Sequence, residues 1–355
     1  MASADEKSRK QTERLEMRKL LLAFRNAKCD PIKIVDEDTL PMRHGLVINR
    51  TIMAGTYQGQ IYPAKREKPR LHNAVVKPEN PAESQMVVRI TVLDKCFIDY
   101  RKHLCENSIK WIKFLGTAES VLNGADPCQP APLRHPSLVR VFDTFVTDKK
   151  AYIFMEQLPS SPLSAKIKFG DGLTLAETQD IARQVSDALL FLSRRYLAHL
   201  NVRADNFLLD SKKQVKLVGL SRLFLYWDSD RDQKAMHKSI NEKNYMDHFP
   251  PEVCKEDVDF DPSLIDSFSF GVLLHQMLTR EKPFIKWQPY KGDEDMQQLW
   301  KEHCIENKDL MKPISPLMLN LLERMLASKP QDRPSIEQVV KDDFFTAKDQ
   351  SSGKQ

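Results

Sequence analysis

The segment from His199 to Asp210, HLNVRADNFLLD, decides how the fold of this chain is interpreted. It opens with a histidine and a polar loop, and it closes with the apolar run FLLD, which is typical of a short β-strand. Asn201 and Asn206 in the loop carry neutral amides, which form hydrogen bonds but do not take up a proton at neutral pH. What this loop is for depends on the chain that surrounds it.

Length and composition indicate a globular protein with a sizeable core. The chain has 355 residues, 41% hydrophobic and 29% charged, which predicts one large bilobal unit or two domains. Its net charge is only +5, and no Lys/Arg block is interleaved with aromatics, so we expect no nucleic-acid binding. Glycine is scarce: 11 of 355 residues, about 3%, against a usual share of about 7%. Glycine-rich loops that bind phosphate groups are therefore not expected to be well formed.

The cysteines and the amino terminus indicate a reducing compartment. None of the six cysteines forms a CxxC pair or a zinc-type spacing, so we expect free thiols and no metal. The start, MASADEKSRK, lacks the apolar stretch of a signal peptide, and no run of 18 apolar residues follows. We therefore expect a cytoplasmic protein that does not enter membranes, with a nuclear location as the alternative.

Residues 5–28 form a charged segment that becomes apolar towards its end. The apolar residues from Leu15 to Phe24 are spaced as on one stripe of a helix. This pattern predicts a helix that packs on its own domain. The interspersed Arg and Lys leave open a helix that binds a protein partner.

Elements of two kinds divide the rest of the chain. Short β-rich runs such as MVVRITVLDK and AYIFMEQL, separated by Pro-rich breaks, predict a small sheet between residues 45 and 158. After residue 174, the runs LAETQDIARQVSDALLFLSRRYL, SLIDSFSFGVLLHQMLT and PLMLNLLERMLA have apolar residues three and four apart, which predicts helices. The last residues, KDQSSGKQ, are polar, and we expect a disordered tail.

Six segments in this order resemble the landmarks of eukaryotic protein kinases of the Ser/Thr type. HLNVRADNFLLD is similar to the catalytic-loop motif H-R-D-L-K-x-x-N with its following strand. The other five are LRHPSLVRVFDTF, YIFMEQL, FPPE, DSFSFGVLLHQMLTREKPF and QDRPSIEQVV. The resemblance implies an α+β, bilobal protein-kinase-like fold with a small β-rich N-lobe and a larger α-helical C-lobe. The predicted organisation is a helical extension 1–44, a kinase-like domain 45–346 with its N-lobe at 45–158 and C-lobe at 159–346, and a tail 347–355.

Several matched positions are structural in the family. Asp266 matches the aspartate that binds backbone amides of the catalytic loop, and Glu252 matches the glutamate that pairs with the arginine at Arg333. His199 retains the histidine of the catalytic loop. Glu106 matches the helix glutamate that pairs with a strand lysine.

The positions that carry the family's chemistry depart from its pattern. Asn201 stands where the family has the aspartate that accepts the substrate hydroxyl proton, and Gly219 stands where it has a metal-binding aspartate. A different alignment makes Gly219 the glycine of the D-F-G motif, again without an aspartate. Thr91 replaces the strand lysine, and Leu200 replaces the arginine that would bind a phosphorylated activation loop.

The nucleotide cleft that the resemblance implies is altered as well. Its glycine-rich loop, AGTYQGQIY, retains only Gly59 in one register. Strand alternation places Arg89 on the face of Thr91, and Lys77 is an alternative for the strand lysine. We expect a vestigial cleft without a cofactor, lined by Gly59, Arg89, Met155, Glu156, Leu158 and Asn206.

Together these departures predict a pseudokinase, a kinase fold without enzymatic activity that acts as a protein-binding scaffold or an allosteric regulator in signalling. Little or no ATP binding is expected. One alternative is an atypical ATP-binding kinase or nucleotidyl-transfer enzyme in which Arg89 or Lys77 supplies the missing cation. A second is recruitment of a protein partner through the helix of residues 5–28.

Overall fold

A computed structural model of the chain describes residues 4–26, 46–47, 70–76, 86–94, 110–115, 135–146, 150–156, 160–169, 173–228, 230–238, 248–254, 259–283, 296–308 and 314–346. Within the chain, two compact units are recognised. The first unit comprises Met1–Pro159 with Leu220–Leu223, and the second comprises Ser160–Gly219 with Phe224–Gln355.

A five-stranded antiparallel sheet forms the first unit. Its strands lie in the order β1-β2-β3-β5-β4. They are β1 (Leu46–Val47), β2 (Arg70–Val76), β3 (Met86–Asp94), β4 (Val141–Val146) and β5 (Lys150–Glu156). The β-branched residues that fill β3 suit an interior strand paired on both edges. Because β3 pairs with β5, Arg89 lies opposite Met155 and Thr91 lies opposite Ile153.

The helix α1 (Ala4–Asn26) lies in the segment for which the sequence predicts a helix. Met17 and Leu20 are buried, with 2% and 7% of their surface exposed. Leu15 and Leu22 keep 59% and 57% of their surface exposed. At 3.6 residues per turn, Leu15 and Leu22 lie on the side of the helix opposite Met17 and Leu20. The helix therefore has two apolar stripes, of which only one is covered.

Helices dominate the second unit. They are α2 (Leu163–Phe169), α3 (Leu175–Ser193), α4 (Pro262–Thr279), α5 (Met296–Glu306), α6 (Pro316–Met325), α7 (Ile336–Val339) and α8 (Asp343–Thr346). Small antiparallel sheets complete the unit. Their strands are β6 (Ser160–Pro162), β7 (Leu197–Ala198), β8 (Phe207–Asp210), β9 (Val215–Leu217), β10 (Phe224–Leu225), β11 (Trp227–Asp228), β12 (Gln233–Lys234), β13 (His237–Lys238) and β14 (Asp259–Phe260). A β-rich unit and a helical unit together confirm the predicted α+β class.

The core of the second unit is built around α4. Of its 18 residues, 15 are buried, and it packs against α3, α6 and α7. A helix that is apolar on most of its circumference belongs in an interior. The side chain of Asp261 caps the first turn by accepting a hydrogen bond from the Ser263 N–H, and Pro262 occupies the first helical position. The position of α4 fixes the loops that contact it.

The start of α3 is held by a reciprocal cap. The Thr174 hydroxyl accepts the Glu177 N–H at 3.2 Å, and the Glu177 carboxylate accepts the Thr174 N–H at 2.9 Å. Lys213 lies 3.0 Å from the other Glu177 oxygen. The Thr174 N–H and the Lys213 ammonium hold the pKa of Glu177 at about 2, below its ordinary value of 4.5. The charged form of Glu177 therefore stabilises the helix start.

We expect Glu177→Gln to lower the free energy of unfolding by about 1 kcal/mol above pH 4.5, the size of a typical capping contribution. The unfolded chain takes up the Glu177 proton near pH 4.5, whereas the folded chain does so only near pH 2. The difference between wild type and variant should therefore disappear as the pH falls from 4.5 to 2. Urea unfolding across this range measures it, and a constant difference would contradict the assignment.

Candidate functional site

The loop after β7 is fixed by a buried carboxylate. One Asp266 oxygen accepts the backbone N–H of His199 at 2.6 Å, and the other accepts the N–H of Leu200 at 2.8 Å. Asp266 belongs to α4 and is 4% exposed. Burial raises the pKa of the Asp266 carboxyl to about 7, and the two N–H donors oppose that rise by favouring the carboxylate. These two bonds attach the loop to the central helix of the unit.

Leu200 adopts a backbone conformation that leucine rarely takes. Its φ is 54°, in the left-handed region, which costs roughly 1–2 kcal/mol for a residue with a Cβ. The N–H bond to Asp266 and the burial of the side chain, 3% exposed, offset this cost. Position 200, where the resemblance would place an arginine, is thus occupied by a buried apolar side chain.

His199 connects the loop to the segment that follows β9. Its Nε2 lies 3.0 Å from the Val218 carbonyl oxygen. A carbonyl only accepts hydrogen bonds, so Nε2 carries the proton and donates it. Burial lowers the pKa of His199 to about 4, so the ring is neutral at physiological pH. His199 contributes a hydrogen bond rather than a charge.

Asn206 closes the loop on itself. Its side-chain N–H donates to the Asn201 carbonyl oxygen at 2.7 Å, and its own carbonyl accepts the Val218 N–H at 2.8 Å. Residues 201, 206 and 218 are thereby joined by hydrogen bonds. The side chain of Asn206 acts as a brace within the loop.

Gly219 lies directly against that brace. A Cβ added to Gly219 would lie 2.6 Å from Oδ1 of Asn206, closer than real Cβ contacts. Its φ of 76° also disfavours any residue with a side chain. The structure thus brings Asn206 and Gly219 together, as the resemblance implies for the two metal-binding positions, and leaves no room for a side chain at 219.

Asn201 presents an acceptor at the centre of the loop. Its Oδ1 is buried and has no hydrogen-bond partner in the part of the chain that the structure describes. A buried amide oxygen without a partner costs about 1–3 kcal/mol, so an arrangement in which a group donates a hydrogen bond to it is favoured.

The donor set at this loop does not fit a protein-held Mg²⁺. Mg²⁺ is usually bound through carboxylates together with substrate phosphates. Here the loop offers the neutral amide of Asn206, and Gly219 adds no side chain. Among the described residues, no group of three or more His, Cys, Asp or Glu is placed to hold a metal ion.

The ion pair that the resemblance implies between Arg333 and Glu252 is present in the second unit. The Arg333 guanidinium binds both oxygens of Glu252, with Nη2 at 2.9 Å from Oε2. It also donates to the carbonyls of Ala327 and Ser328 and lies over the ring of Phe268. Both side chains are almost fully buried, at 0% and 7% exposure. The pair joins the segment at Pro251–Cys254 to the turn before α7.

One polar contact at the loop was missed by the sequence analysis. The Asp205 carboxylate accepts the Ser164 hydroxyl at 2.7 Å and also binds Arg203. The charged pair in RADN was visible in the sequence. Ser164 lies 41 residues earlier at the start of α2, and no pattern in the sequence links it to Asp205.

The remaining predicted residues are only partly described. Met155 is 4% exposed at the end of β5, and the Glu156 carboxylate accepts the Arg140 N–H at 2.9 Å. Arg89 and Thr91 are placed in β3, but their side chains lie outside the described part of the structure. Also outside the described residues are Gly59, Lys77, Glu106 and Leu158.

Comparison with known proteins gives the family. The protein kinase domain family matches residues 130–345, which is more than half of the chain. The chain belongs to the protein kinase family. The predicted superfamily and its α+β kinase fold are thereby confirmed.

Three relatives show how much of the chain is shared. It is 28% identical over 215 residues to the carbon catabolite-derepressing protein kinase of Saccharomyces cerevisiae, covering 60% of this chain and 31% of that protein. It is 28% identical over 219 residues to CBL-interacting serine/threonine-protein kinase 14 of Arabidopsis thaliana, covering 60% and 45%. It is 30% identical over 217 residues to the Secale cereale carbon catabolite-derepressing protein kinase, covering 60% and 39%. The chain thus spans less than half the length of these kinases.

These findings overturn one prediction. We expected a pseudokinase without enzymatic activity, because Thr91, Asn201 and Gly219 depart together from the kinase pattern. That expectation is wrong: the relatives are named as protein kinases, and the kinase domain family matches, so the comparisons point to a kinase enzyme. The error lay in treating neutral residues as proof of inactivity in a reaction that depends mainly on positioning.

Among the helices that the structure describes, none is both long enough and apolar enough to cross a bilayer.

We expect Arg333→Met to lower the free energy of unfolding of the chain by about 3–5 kcal/mol, because it leaves the buried Glu252 carboxylate without its cation. Urea unfolding of the purified chain measures the loss. The matched control is Arg324→Met, which removes the pair between Arg324 and Asp342. Arg324 is 43% exposed, so its loss should cost less than about 1 kcal/mol. Equal losses in the two variants would refute the distinction between them.

Proposed function

We propose that this chain is a slow protein kinase that transfers the γ-phosphoryl group of ATP to a hydroxyl group of a protein substrate. The relatives that carry the name serine/threonine-protein kinase support the substrate class. The 199–206 loop supports the reaction, because its backbone is held by Asp266 and Asn206 in a defined conformation.

One observation carries the proposal. The buried Oδ1 of Asn201 has no partner among the described residues, and the loop around it is fixed. Asn201 as a whole is half-buried, so a turn of its amide would bring Oδ1 to the accessible side, where an incoming serine or threonine hydroxyl would donate its hydrogen bond to it. The hydroxyl oxygen is then oriented, although Asn201 does not remove its proton.

Orientation without a base is compatible with phosphoryl transfer. In the loose transition state of this reaction, the hydroxyl oxygen bonds to phosphorus while the bond between phosphorus and the bridging oxygen of ADP breaks. The substrate hydroxyl loses its proton late in this reaction, and without a protein base the proton passes to solvent or to an oxygen of the transferred phosphoryl group. A positioned base contributes about 10²–10⁴ in rate, and its absence makes the kinase slow by about that factor.

The neutral interior near the loop suits this role. The ring of His199 is neutral because burial lowers its pKa to about 4. The Asp266 carboxylate, which could otherwise attract protons or cations, is occupied by two backbone N–H groups. The loop therefore presents hydrogen-bonding groups of fixed direction to the substrate, which is how preorganised sites stabilise developing charge.

We expect Asn201→Asp to raise the rate of phosphate incorporation by about 10²-fold or more, because it places a carboxylate where the amide stands at nearly unchanged volume. The measurement is transfer of labelled phosphate from ATP to a generic protein substrate and to the chain itself. Asn320→Asp is the matched control, since it adds the same carboxylate on the exposed surface of α6.

The wild-type chain should exceed a heat-denatured sample, and the control variant should equal the wild type. If neither wild type nor Asn201→Asp incorporates phosphate above the denatured sample while both remain folded, the proposed kinase activity is refuted. Equal rates in the wild type and in Asn201→Asp would refute the role assigned to Asn201.

We place this activity in the cytoplasm or nucleus, in keeping with its use of ATP and with the free thiol of Cys304.

A second function is supported by α1. Its exposed stripe of Leu15 and Leu22 is flanked by exposed Arg14 and Lys19, whereas Met17 and Leu20 are covered by the chain itself. We propose that this stripe binds a protein partner that offers an apolar groove with acidic edges. Apolar side chains two turns apart are typical of helices that dock in such grooves.

We expect Leu15→Gln with Leu22→Gln to abolish binding of that partner without changing the melting temperature, because both side chains are solvent-exposed. Met17→Ala should instead destabilise the protein by about 2–5 kcal/mol. Partners captured by the 355-residue chain are purified and titrated directly against wild type and variants. Unchanged affinity of the double variant would contradict the proposed surface.

A further inference from the structure

The 199–206 loop carries one cation and one anion close to Asn201. Arg203 follows Asn201 by two residues, and its Nη2 binds the carboxylate of Asp205. Both charged side chains are open to solvent, with 37% and 49% of their surface exposed. Two residues span at most about 7 Å of backbone. Arg203 is therefore within reach of a peptide whose serine or threonine hydroxyl is bound at Asn201.

The Asp205 carboxylate is directed towards the protein. Its Oδ1 accepts the Ser164 hydroxyl at 2.7 Å, and its Oδ2 accepts from Arg203. Ser164 lies in α2 and is only 9% exposed, so it holds the carboxylate from the buried side. Each oxygen of Asp205 thus already has a donor, and Asp205 serves as the internal partner of Arg203.

Arg203 keeps hydrogen-bond donors for a second anion. A guanidinium has five N–H donors in a rigid fork. In the part of the chain that the structure describes, Asp205 is the one group that Arg203 binds, through Nη2. The remaining N–H groups suit the paired oxygens of a carboxylate or a phosphate. A second anion can therefore bind Arg203 without displacing Asp205.

The helix α2 adds a second cation on the same side. Lys168 follows Ser164 by four residues, so both lie on one face of the helix, one turn apart. Lys168 is exposed, and it forms no ion pair with the residues that the structure describes. The sequence of α2, LSAKIKF, contains two lysines and no acidic residue, and α2 packs against the turn at Ala204–Asn206. The surface formed by α2 and the loop is therefore positive overall.

We propose that Arg203 and Lys168 bind acidic side chains that flank the accepting serine or threonine of a peptide substrate. This inference rests on the proposed kinase function and names the substrate class of the same site. Asn201 orients the hydroxyl, Arg203 binds a carboxylate close to it along the peptide, and Lys168 binds a more distant one. No bond is made or broken at Arg203 or Lys168, which determine specificity.

The charges of this surface decide which peptides are preferred. Basic flanking residues would meet Arg203 and Lys168 as like charges, which disfavours the complex. They would find Asp205 with a donor already on each oxygen. The expected order of affinity is acidic, then neutral, then basic. Because both cations are partly exposed, salt screens them, and the preference should shrink as the NaCl concentration rises.

The first test measures binding without ATP. Three short peptides share a central serine and carry glutamate, glutamine or lysine on both sides of it; each is titrated calorimetrically into the 355-residue chain at low salt. We expect the glutamate peptide to bind about tenfold more tightly than the glutamine peptide, since two partly exposed ion pairs contribute a few-fold each. Arg203→Gln and Lys168→Gln should each reduce this ratio to about threefold.

The matched control is Lys212→Gln. It removes an exposed lysine at the turn after β8, at the end of that strand away from the loop, and should leave the ratio unchanged. Lys168→Gln changes an exposed side chain outside the loop, so the test holds even if Arg203→Gln fails to fold. Equal binding of the glutamate and glutamine peptides by the wild type would overturn the proposal, and so would an equal loss in Lys212→Gln.

The second test separates the peptide from the nucleotide, since the phosphates of ATP offer Arg203 the same chemistry as a carboxylate. KM is measured for ATP and for the glutamate peptide. Arg203→Gln should raise the KM of the glutamate peptide about threefold and leave the KM of ATP unchanged. A higher KM for ATP with an unchanged peptide ratio would assign Arg203 to the nucleotide and overturn the proposal. Selective peptide binding without any phosphate transfer would refute the kinase activity and support the acidic-peptide surface.

Discussion

The carboxylate of Asp266 is the interaction on which the second unit depends. It lies on the most deeply buried helix, and its two oxygens take the N–H groups of consecutive loop residues. A side-chain carboxylate can satisfy two adjacent donors only if the backbone bends so that both point the same way. Leu200, the second of the two donors, itself adopts the left-handed conformation, which turns the chain immediately after the Asp266 bond. The conformation of the loop therefore depends on the position of the helix. The hydrogen bond from the Val218 N–H to the Asn206 carbonyl connects the same loop to the segment after β9.

The interior of the second unit holds polar groups mostly without charge. Burial lowers the pKa of His199 and His275 and raises that of Asp266. Arg333 and Glu252 form a buried ion pair, and they satisfy each other through two parallel bonds. Loss of either partner would leave an unpaired ion inside, and the cost of removing such an ion from water exceeds what other contacts return.

The sequence predicted the fold well because its signals were local or came in a fixed order. The long apolar runs gave the positions of α3, α4 and α6, and the segments around Asp266, Glu252 and Arg333 identified the family. Contacts between distant residues carried no such signal, which is why the bond from Ser164 to Asp205 and the hydrogen bond between His275 and His303 were not foreseen. Function was misjudged for a different reason. A missing carboxylate at Asn201 can be seen in the sequence, whereas the rigidity of the loop that holds the amide cannot.

The contact between Gly219 and Asn206 makes these two positions dependent on each other. Any side chain at 219 meets the Asn206 amide, and that amide is held by its bond to Asn201. A carboxylate can therefore enter at 219 only after residue 206 has become smaller or has turned away, which releases the loop in the intermediate. Substitution at 219 is therefore coupled to residue 206, and the order in which the two positions change is constrained.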